Sequence, residues 1–162
     1  MFALELDGLD EAAARLDGCP AALRAALAAK AVELAAALAD RVRTDKLSGG
    51  VLNVRSGALR DSIAAEVSTD GDGVAASVAS TGDVKYAAIQ EYGGKTAAHE
   101  ILPAKAQALA FVVGGALRFA RKVEHPGSVI PERSYLRATL DEMSGDIVAA
   151  LADAAAELLE RA

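Results

Sequence analysis

Two stretches of this 162-residue chain are spelled like catalytic motifs. Gly93-Gly94-Lys95-Thr96 resembles the end of a phosphate-binding loop. That loop needs another glycine five residues before its Gly-Lys pair, where the backbone curls around phosphate oxygens, and Ile89 stands there instead. It also needs a long helix starting at the lysine, and Pro103 would stop one after about two turns. His99-Glu100 opens like a zinc-protease helix, but Pro103 occupies the position of the second histidine. Cys19, His99 and His125 are scattered without metal-ligand spacing, and no Gly-x-Ser-x-Gly elbow is present. Cys19 before Pro20 reads as a residue at the start of a helix, not as a nucleophile. Glu91, in Gln90-Glu91-Tyr92-Gly93, is a general acid–base candidate only if it lies in a cleft with a tuned pKa. The alternative is a structural carboxylate that accepts hydrogen bonds and fixes the turn its following glycines permit. The chain is therefore expected to be no enzyme, with no catalytic, cofactor-binding or metal-binding residues.

The elements that would carry any site follow from periodicity. The composition is 52% hydrophobic but only 4% aromatic, because alanine supplies most of the apolar count. Alanine favours helix and contributes little burial per residue, so long, closely packed helices are expected, in one domain over 1–162. Phe2, Leu4 and Leu6 alternate with acids as a short strand. A brief helix from Asp10 should end near Gly18, and Pro20 should open a second one. Leu23, Leu27, Leu34, Leu38 and Val42 make its apolar stripe. Residues 45–57 have three glycines and no period, the pattern of a long mobile loop. Strands at about 63–69 and 74–80 flank the turn Asp70-Gly71-Asp72-Gly73, and Gly114-Gly115 centres a hairpin over 108–123. A two-residue loop there sets Val112 opposite Leu117 and Phe111 opposite Arg118. Both faces of that ribbon then carry an aromatic ring, which predicts cover on both sides. Pro131-Glu132 should open the last helix, with a stripe from Leu136 to Leu158, an acidic outer face, and its end over 141–162. The fold class is α+β, with a long N-terminal helix, a twisted mainly antiparallel β-sheet containing the Gly-Gly hairpin, and a C-terminal helix.

Charge narrows the partners. The net charge of −6 and pI of about 4.9 argue against a free-standing DNA-binding domain. The N-terminus lacks the basic start of a signal peptide, and Arg24, Lys30 and Glu33 interrupt the Ala-rich stretch too often for a membrane span. Between 105 and 137 the bases Lys105, Arg118, Arg121, Lys122, Arg133 and Arg137 outnumber the acids. This segment would pair with acidic faces of a neighbouring copy or of the chain's own last helix, or else serve a nucleic-acid-associated role. Candidate interface residues are Leu47, Val51, Leu52 and Val54 in the long loop, with Arg118, Arg121 and Lys122 on the basic strand.

Three segments in order carry a resemblance. They are Val54-Arg55-Ser56-Gly57-Ala58-Leu59-Arg60-Asp61-Ser62-Ile63, then Tyr86-Ala87-Ala88-Ile89-Gln90-Glu91-Tyr92-Gly93, then Ile101-Leu102-Pro103 through His125-Pro126-Gly127 to Arg133-Ser134-Tyr135-Leu136. Together, over about 54–140, they are similar to the tail-completion and minor-tail proteins of long-tailed bacteriophages. In that family the last segment usually reads Arg-Pro-Phe-Leu, where this chain has Ser134-Tyr135. The resemblance implies a structural virion protein that completes the tail or joins it to the head connector. It implies a homo-oligomeric ring, a hexamer on the tail, touching tail-tube and connector proteins, with nucleic acid only as genome passing through. The location implied is the tail or neck of a virion, after synthesis in the bacterial cytoplasm. Glu91, Tyr92 and Gly93, with His125, Pro126 and Gly127, would be its structural motif residues.

Overall fold

A computed structural model describes residues 9–70, 73–82, 84–104 and 106–161, with the side chains of 9–20, 70 and 161 left aside. The strand expected over 1–7 lies outside the described residues. The contacts divide the chain into two compact units: residues up to Ala87 with Ser134 onward, and Ala88–Arg133.

In the first unit, helix α1 runs without a break from Leu9 to Arg41. The expected stop between Gly18 and Pro20 does not form. Proline's fixed φ is already helical, its missing N–H removes one hydrogen bond, and alanines downstream favour continuing. The helix buries Ala31, Ala35, Leu38 and Ala39, while Leu23, Leu27 and Leu34 are half-buried. The buried line is thus partly the alanines beside the leucine stripe. Their small side chains let α1 pack closely against the β1–β2 ribbon and the last helix.

After Arg41 the chain takes one wider π-turn, Val42–Lys46. The Leu47 N–H reaches back five residues to the Val42 carbonyl at 3.0 Å, the bonding that defines such a turn. Val42 and Leu47, 0% and 3% exposed, both enter the core. The Lys46 carbonyl then accepts N–H groups from Val51 (3.0 Å) and Leu52 (2.9 Å), closing the loop on itself. A Cβ on Gly50 would sit 1.9 Å from the Asp45 carbonyl oxygen, so only glycine fits there. Residues 45–52, part of the segment 45–57 that reads in sequence as a long mobile loop, therefore fold back on themselves and into the core. Leu47 is core, Leu52 packs against it, and only Val51 and Val54 of the four candidate loop residues are exposed.

A short helix α2, Ala58–Asp61, leads into β1, Ile63–Asp70, which pairs antiparallel with β2, Gly73–Ser80, from Ile63↔Ser80 to Asp70↔Gly73. Alternation puts Ile63, Val67, Val74 and Val78 on one face, and the ribbon packs on α1. Helix α3, Ala87–Tyr92, follows, with only Ala87 in this unit and the rest in the second. The last helix, α4, spans Arg137–Arg161 rather than starting at Pro131. The Ser134 hydroxyl accepts the Ala138 N–H at 3.2 Å, a capping contact that places the start after Ser134.

The second unit is a ribbon. Strand β3, Gly94–Lys95, pairs with β8, Val129–Ile130, and β4, His99–Ile101, pairs with β7, Val123–His125. All five pairs share one antiparallel register, so these are two stretches of a single two-stranded ribbon, interrupted between Thr96 and Ala98. Beyond it β5, Leu109–Val113, and β6, Ala116–Ala120, pair from Leu109↔Ala120 to Val113↔Ala116. Gly114 and Gly115 between them have φ of 59° and 83°, the two positive values of a type I′ turn. The α+β class holds, but among the described residues antiparallel pairing falls into four separate two-strand pairings, two of them along one ribbon, and is not gathered in one sheet. Pro103 and Pro126 interrupt the chain between these strands, Pro131 ends the last of them, and none can donate to a ladder.

Candidate functional site

The segments spelled like catalytic motifs lie in the wrong elements for that chemistry. Lys95 is in a strand, not at a helix N-terminus, and His99-Glu100 lies on β4, where no helical spacing of ligands exists. His99 and His125 instead face each other across the ribbon, with ring centroids 5.0 Å apart and planes 25° from parallel. The His99 Nδ1 lies 3.2 Å from the Ala97 carbonyl, so that nitrogen carries the proton and donates. The His125 Nδ1 accepts the Gly127 N–H at 3.0 Å, so that nitrogen is unprotonated. Each histidine thereby holds a local turn. On the opposite face Glu100 lies across from Glu124, and Lys122 Nζ bridges them at 2.5 and 3.2 Å. These contacts raise the Lys122 pKa, mainly through the bond to Glu100 and then that to Glu124. Lys122 is thus occupied within its own ribbon.

The motif glycines have steric reasons. Gly127 has φ of 86°, and a Cβ there would lie 2.1 Å from the Thr96 carbonyl oxygen. Two strands cross closely at this point, with the Thr96 N–H donating to the Ser128 carbonyl (2.9 Å) and the Ser128 N–H donating to Thr96 Oγ1 (2.7 Å). Gly93 has φ of 68°, and its Cβ would lie 2.7 Å from the Glu132 nitrogen. Glu91 is buried at 3% exposure, while Tyr92 is 63% exposed. A buried carboxylate is stable only when its oxygens are bonded, which suits a structural role at the end of α3. Pro126 is exposed beside Gly127.

Within the first unit, the three spelled segments meet in one cluster. Leu59 and Ile63 come from the first, Ala87 from the second and Tyr135 from the third, joined by Leu38, Val42, Leu47 and Met143. Tyr135, 1% exposed, is the largest fully buried side chain, and its hydroxyl donates to the Ala87 carbonyl at 3.3 Å. Thr139, fully buried, donates to the Tyr135 carbonyl at 2.6 Å. Sequence reasoning passed over Leu59, Ile63 and Tyr135 as core residues. The signal was their place inside the spelled segments, since four-residue α2 is too short to show a period.

What remains uncovered is the hairpin. Val112, Leu117 and Phe119 are 67%, 60% and 68% exposed on one face, while Leu109 and Phe111 on the other are half-buried. The cover predicted for both faces is therefore partial on one and lacking on the other. Arg118 and Arg121 are exposed and make no ion pair among the described residues. Lys105 lies outside the described residues. On α4, Glu142 is held by Lys46 (2.5 Å) and Arg41 (3.6 Å), whereas Asp146 and Asp153 are exposed without a described partner. Among the described residues no helix is long and apolar enough to cross a membrane. No protein-family model matches this chain, and neither a curated protein nor a solved structure shows significant similarity to it.

Proposed function

We propose that the protein is a structural virion subunit of a long-tailed bacteriophage, one that completes the tail or joins it to the head connector as part of a ring. The observation that carries this reading is the Gly-Gly hairpin, which presents Val112, Leu117 and Phe119 to solvent. Contiguous apolar surface of this kind on a monomer marks an interaction site. A two-stranded ribbon is marginally stable in water by itself, so it gains from cover. The residues that could suggest catalysis hold turns: His99, His125 and Gly127 fix the ribbon crossing, and Glu91 is buried. The three segments similar to tail-completion proteins supply the core and the ribbon crossing, so their residue types have structural reasons in this chain. The nucleic-acid reading has less support, because Lys122 is engaged by Glu100 and Glu124.

Purified particles, probed for this protein beside particles from a deletion mutant, test the proposal. The expected result is the protein in intact virions and, in the mutant, separate heads and tails. Normal infectious particles from the mutant, with no copy of the protein in wild-type virions, would overturn it.

A further inference from the structure

The chain has two histidines among its 162 residues, and both stand at one strand crossing. Histidine is the side chain whose charge ordinarily changes between about pH 5 and 8. Aspartate and glutamate stay largely ionised down to about pH 5. A side-chain response of this chain between pH 7 and 5 therefore starts at His99 and His125. His99 is exposed and His125 half-buried, so protons reach both rings.

The two rings answer acid differently, because their Nδ1 atoms hold opposite roles. His99 Nδ1 already donates to the Ala97 carbonyl at 3.2 Å, and that bond survives when Nε2 takes a proton. His125 Nδ1 accepts the Gly127 N–H at 3.0 Å through its lone pair. The neutral His125 ring has its proton on Nε2, so the next proton must go to Nδ1. An imidazolium has no acceptor, and two N–H groups would then point at each other. Gly127 has little room to turn aside, since a Cβ there would lie 2.1 Å from the Thr96 carbonyl oxygen. Charge acts in the same direction. The rings are 5.0 Å apart on directly opposed residues, where like charges destabilise an antiparallel pair. Alternation puts only Ile101 and Val123 beside them on that face. The carboxylates of these strands, Glu100 and Glu124, lie on the other face with Lys122 between them. Strand β3 adds Lys95, a further positive charge. Among the described residues no carboxylate forms an ion pair with either imidazole.

We infer that the Thr96–Gly127 crossing is an acid-released joint, closed by the neutral His125 ring and loosened by its protonation. The crossing is whole at pH 7 and weakens as pH falls through the ordinary histidine range. It separates the β3–β8 stretch of the ribbon from the β4–β7 stretch, with the Gly-Gly hairpin beyond. Acid therefore frees the end of the second unit that exposes Val112, Leu117 and Phe119. The two bonds between Thr96 and Ser128 involve no titrating group, so the joint loosens and the ribbon does not unfold.

Amide exchange followed by NMR on the full chain tests this, each rate divided by its unstructured value at the same pH. Between pH 7 and 5 the protection of Gly127 should fall by roughly five- to tenfold, the weight of one net hydrogen bond. Thr96 and Ser128 should follow it, while Leu47 in the first unit stays unchanged. His125→Asn supplies a side-chain oxygen that accepts the N–H two residues on, the bond of an Asx-turn, and does not titrate. That variant should keep the neutral-pH protection and lose the response to acid. His99→Asn removes the second charge and should retain a smaller response. Protection indifferent to pH in the wild type, or an acid response in His125→Asn equal to wild type, would overturn the inference. A response abolished in His99→Asn would overturn it too, because the device would then lie in the other ring. Should His125→Asn fail to fold, imidazole ¹⁵N shifts of the wild type decide. They should show His125 Nδ1 without a proton at pH 7 and with one at pH 5, and a protonated Nδ1 at pH 7 would refute the joint.

Discussion

Gly127 and Gly114 both have positive φ, 86° and 59°, yet they differ in what surrounds them. At Gly114 nothing lies within 4 Å of a built Cβ, while at Gly127 the Thr96 carbonyl oxygen is 2.1 Å away. Replacing either with alanine places an L-residue in the left-handed region, which costs about 1–2 kcal/mol. For Gly114→Ala the cost should end there. For Gly127→Ala the strands must also separate. That loosens the Thr96 N–H to Ser128 carbonyl bond, the Ser128 N–H to Thr96 Oγ1 bond and the Gly127 N–H to His125 bond. At about 1 kcal/mol net for each bond, the total becomes roughly 4–5 kcal/mol. The crossing belongs to the second unit, so a probe local to it reads the change more directly than a melting temperature of the whole chain. Amide hydrogen exchange at Thr96 and Ser128 reads the crossing directly. Their protection should fall by about three orders of magnitude in Gly127→Ala and remain at wild-type level in Gly114→Ala, whose strain is at the distant turn. Gly114→Asn should recover part of the cost at the turn, since asparagine tolerates the left-handed region. Equal protection of Thr96 and Ser128 in the two alanine variants would refute the reasoning, because the close approach would then contribute nothing.

Leu38→Ala should cost about 2–4 kcal/mol in the first unit, and the half-buried Leu34→Ala less, as compared by chemical denaturation. Tyr135→Phe should cost about 1–3 kcal/mol, because it leaves the Ala87 carbonyl buried without the hydroxyl; a variant as stable as wild type would remove that bond's role. Leu47→Ala should destabilise by about 2–4 kcal/mol while Val51→Ala stays within about 0.5 kcal/mol, separating core from surface in one loop. Lys122→Met should leave Glu100 and Glu124 opposed, lowering exchange protection of the β4–β7 pairing at low salt and less so at high salt. The Lys122 pKa is raised on folding, so its contribution is fully present at neutral pH. It should disappear only as pH rises past the usual lysine range, and a loss already at pH 8 would contradict the bridge.

Much of the fold can be read from the residues, for physical reasons that differ by element. The β1–β2 register follows from alternation around Asp70-Gly71-Asp72-Gly73, and the β5–β6 pairing is the one that two adjacent glycines at positive φ dictate. The helix boundaries read less well, because their causes are tertiary. Nothing local tells that Pro20 is carried inside α1, or that Arg133 donates to the Gln90 carbonyl at 2.9 Å and so keeps 131–136 out of α4. The π-turn is the hardest case. Val42-Arg43-Thr44-Asp45-Lys46 has no pattern of its own, and the extra residue per turn is fixed by Val42 and Leu47 both finding the core. The candidate interface residues divided along the same line. Leu47 and Leu52 look like any apolar residues in a Gly-rich stretch, and only the bonds to the Lys46 carbonyl, with Gly50 against Asp45, fold them inward.

The two units differ in how their stability is supplied, and that difference bears on the site. The first gathers Leu38, Val42, Leu47, Leu59, Ile63, Tyr135 and Met143 into one cluster that excludes water, so its elements are held by burial. The second contributes few large buried side chains: its register depends on glycines at close crossings, a stacked histidine pair and a lysine bridging two glutamates. Those devices fix geometry well, but exposed ion pairs and short ladders add little free energy. A ribbon built in this way keeps its shape while leaving Val112, Leu117 and Phe119 uncovered. Had the chain needed only a stable monomer, polar residues at 112, 117 and 119 would preserve the same turn and pairing. The turn needs only Gly114 and Gly115, so the hairpin's own geometry does not require the apolar side chains at 112, 117 and 119, and a surface that covered them would supply the burial the second unit lacks.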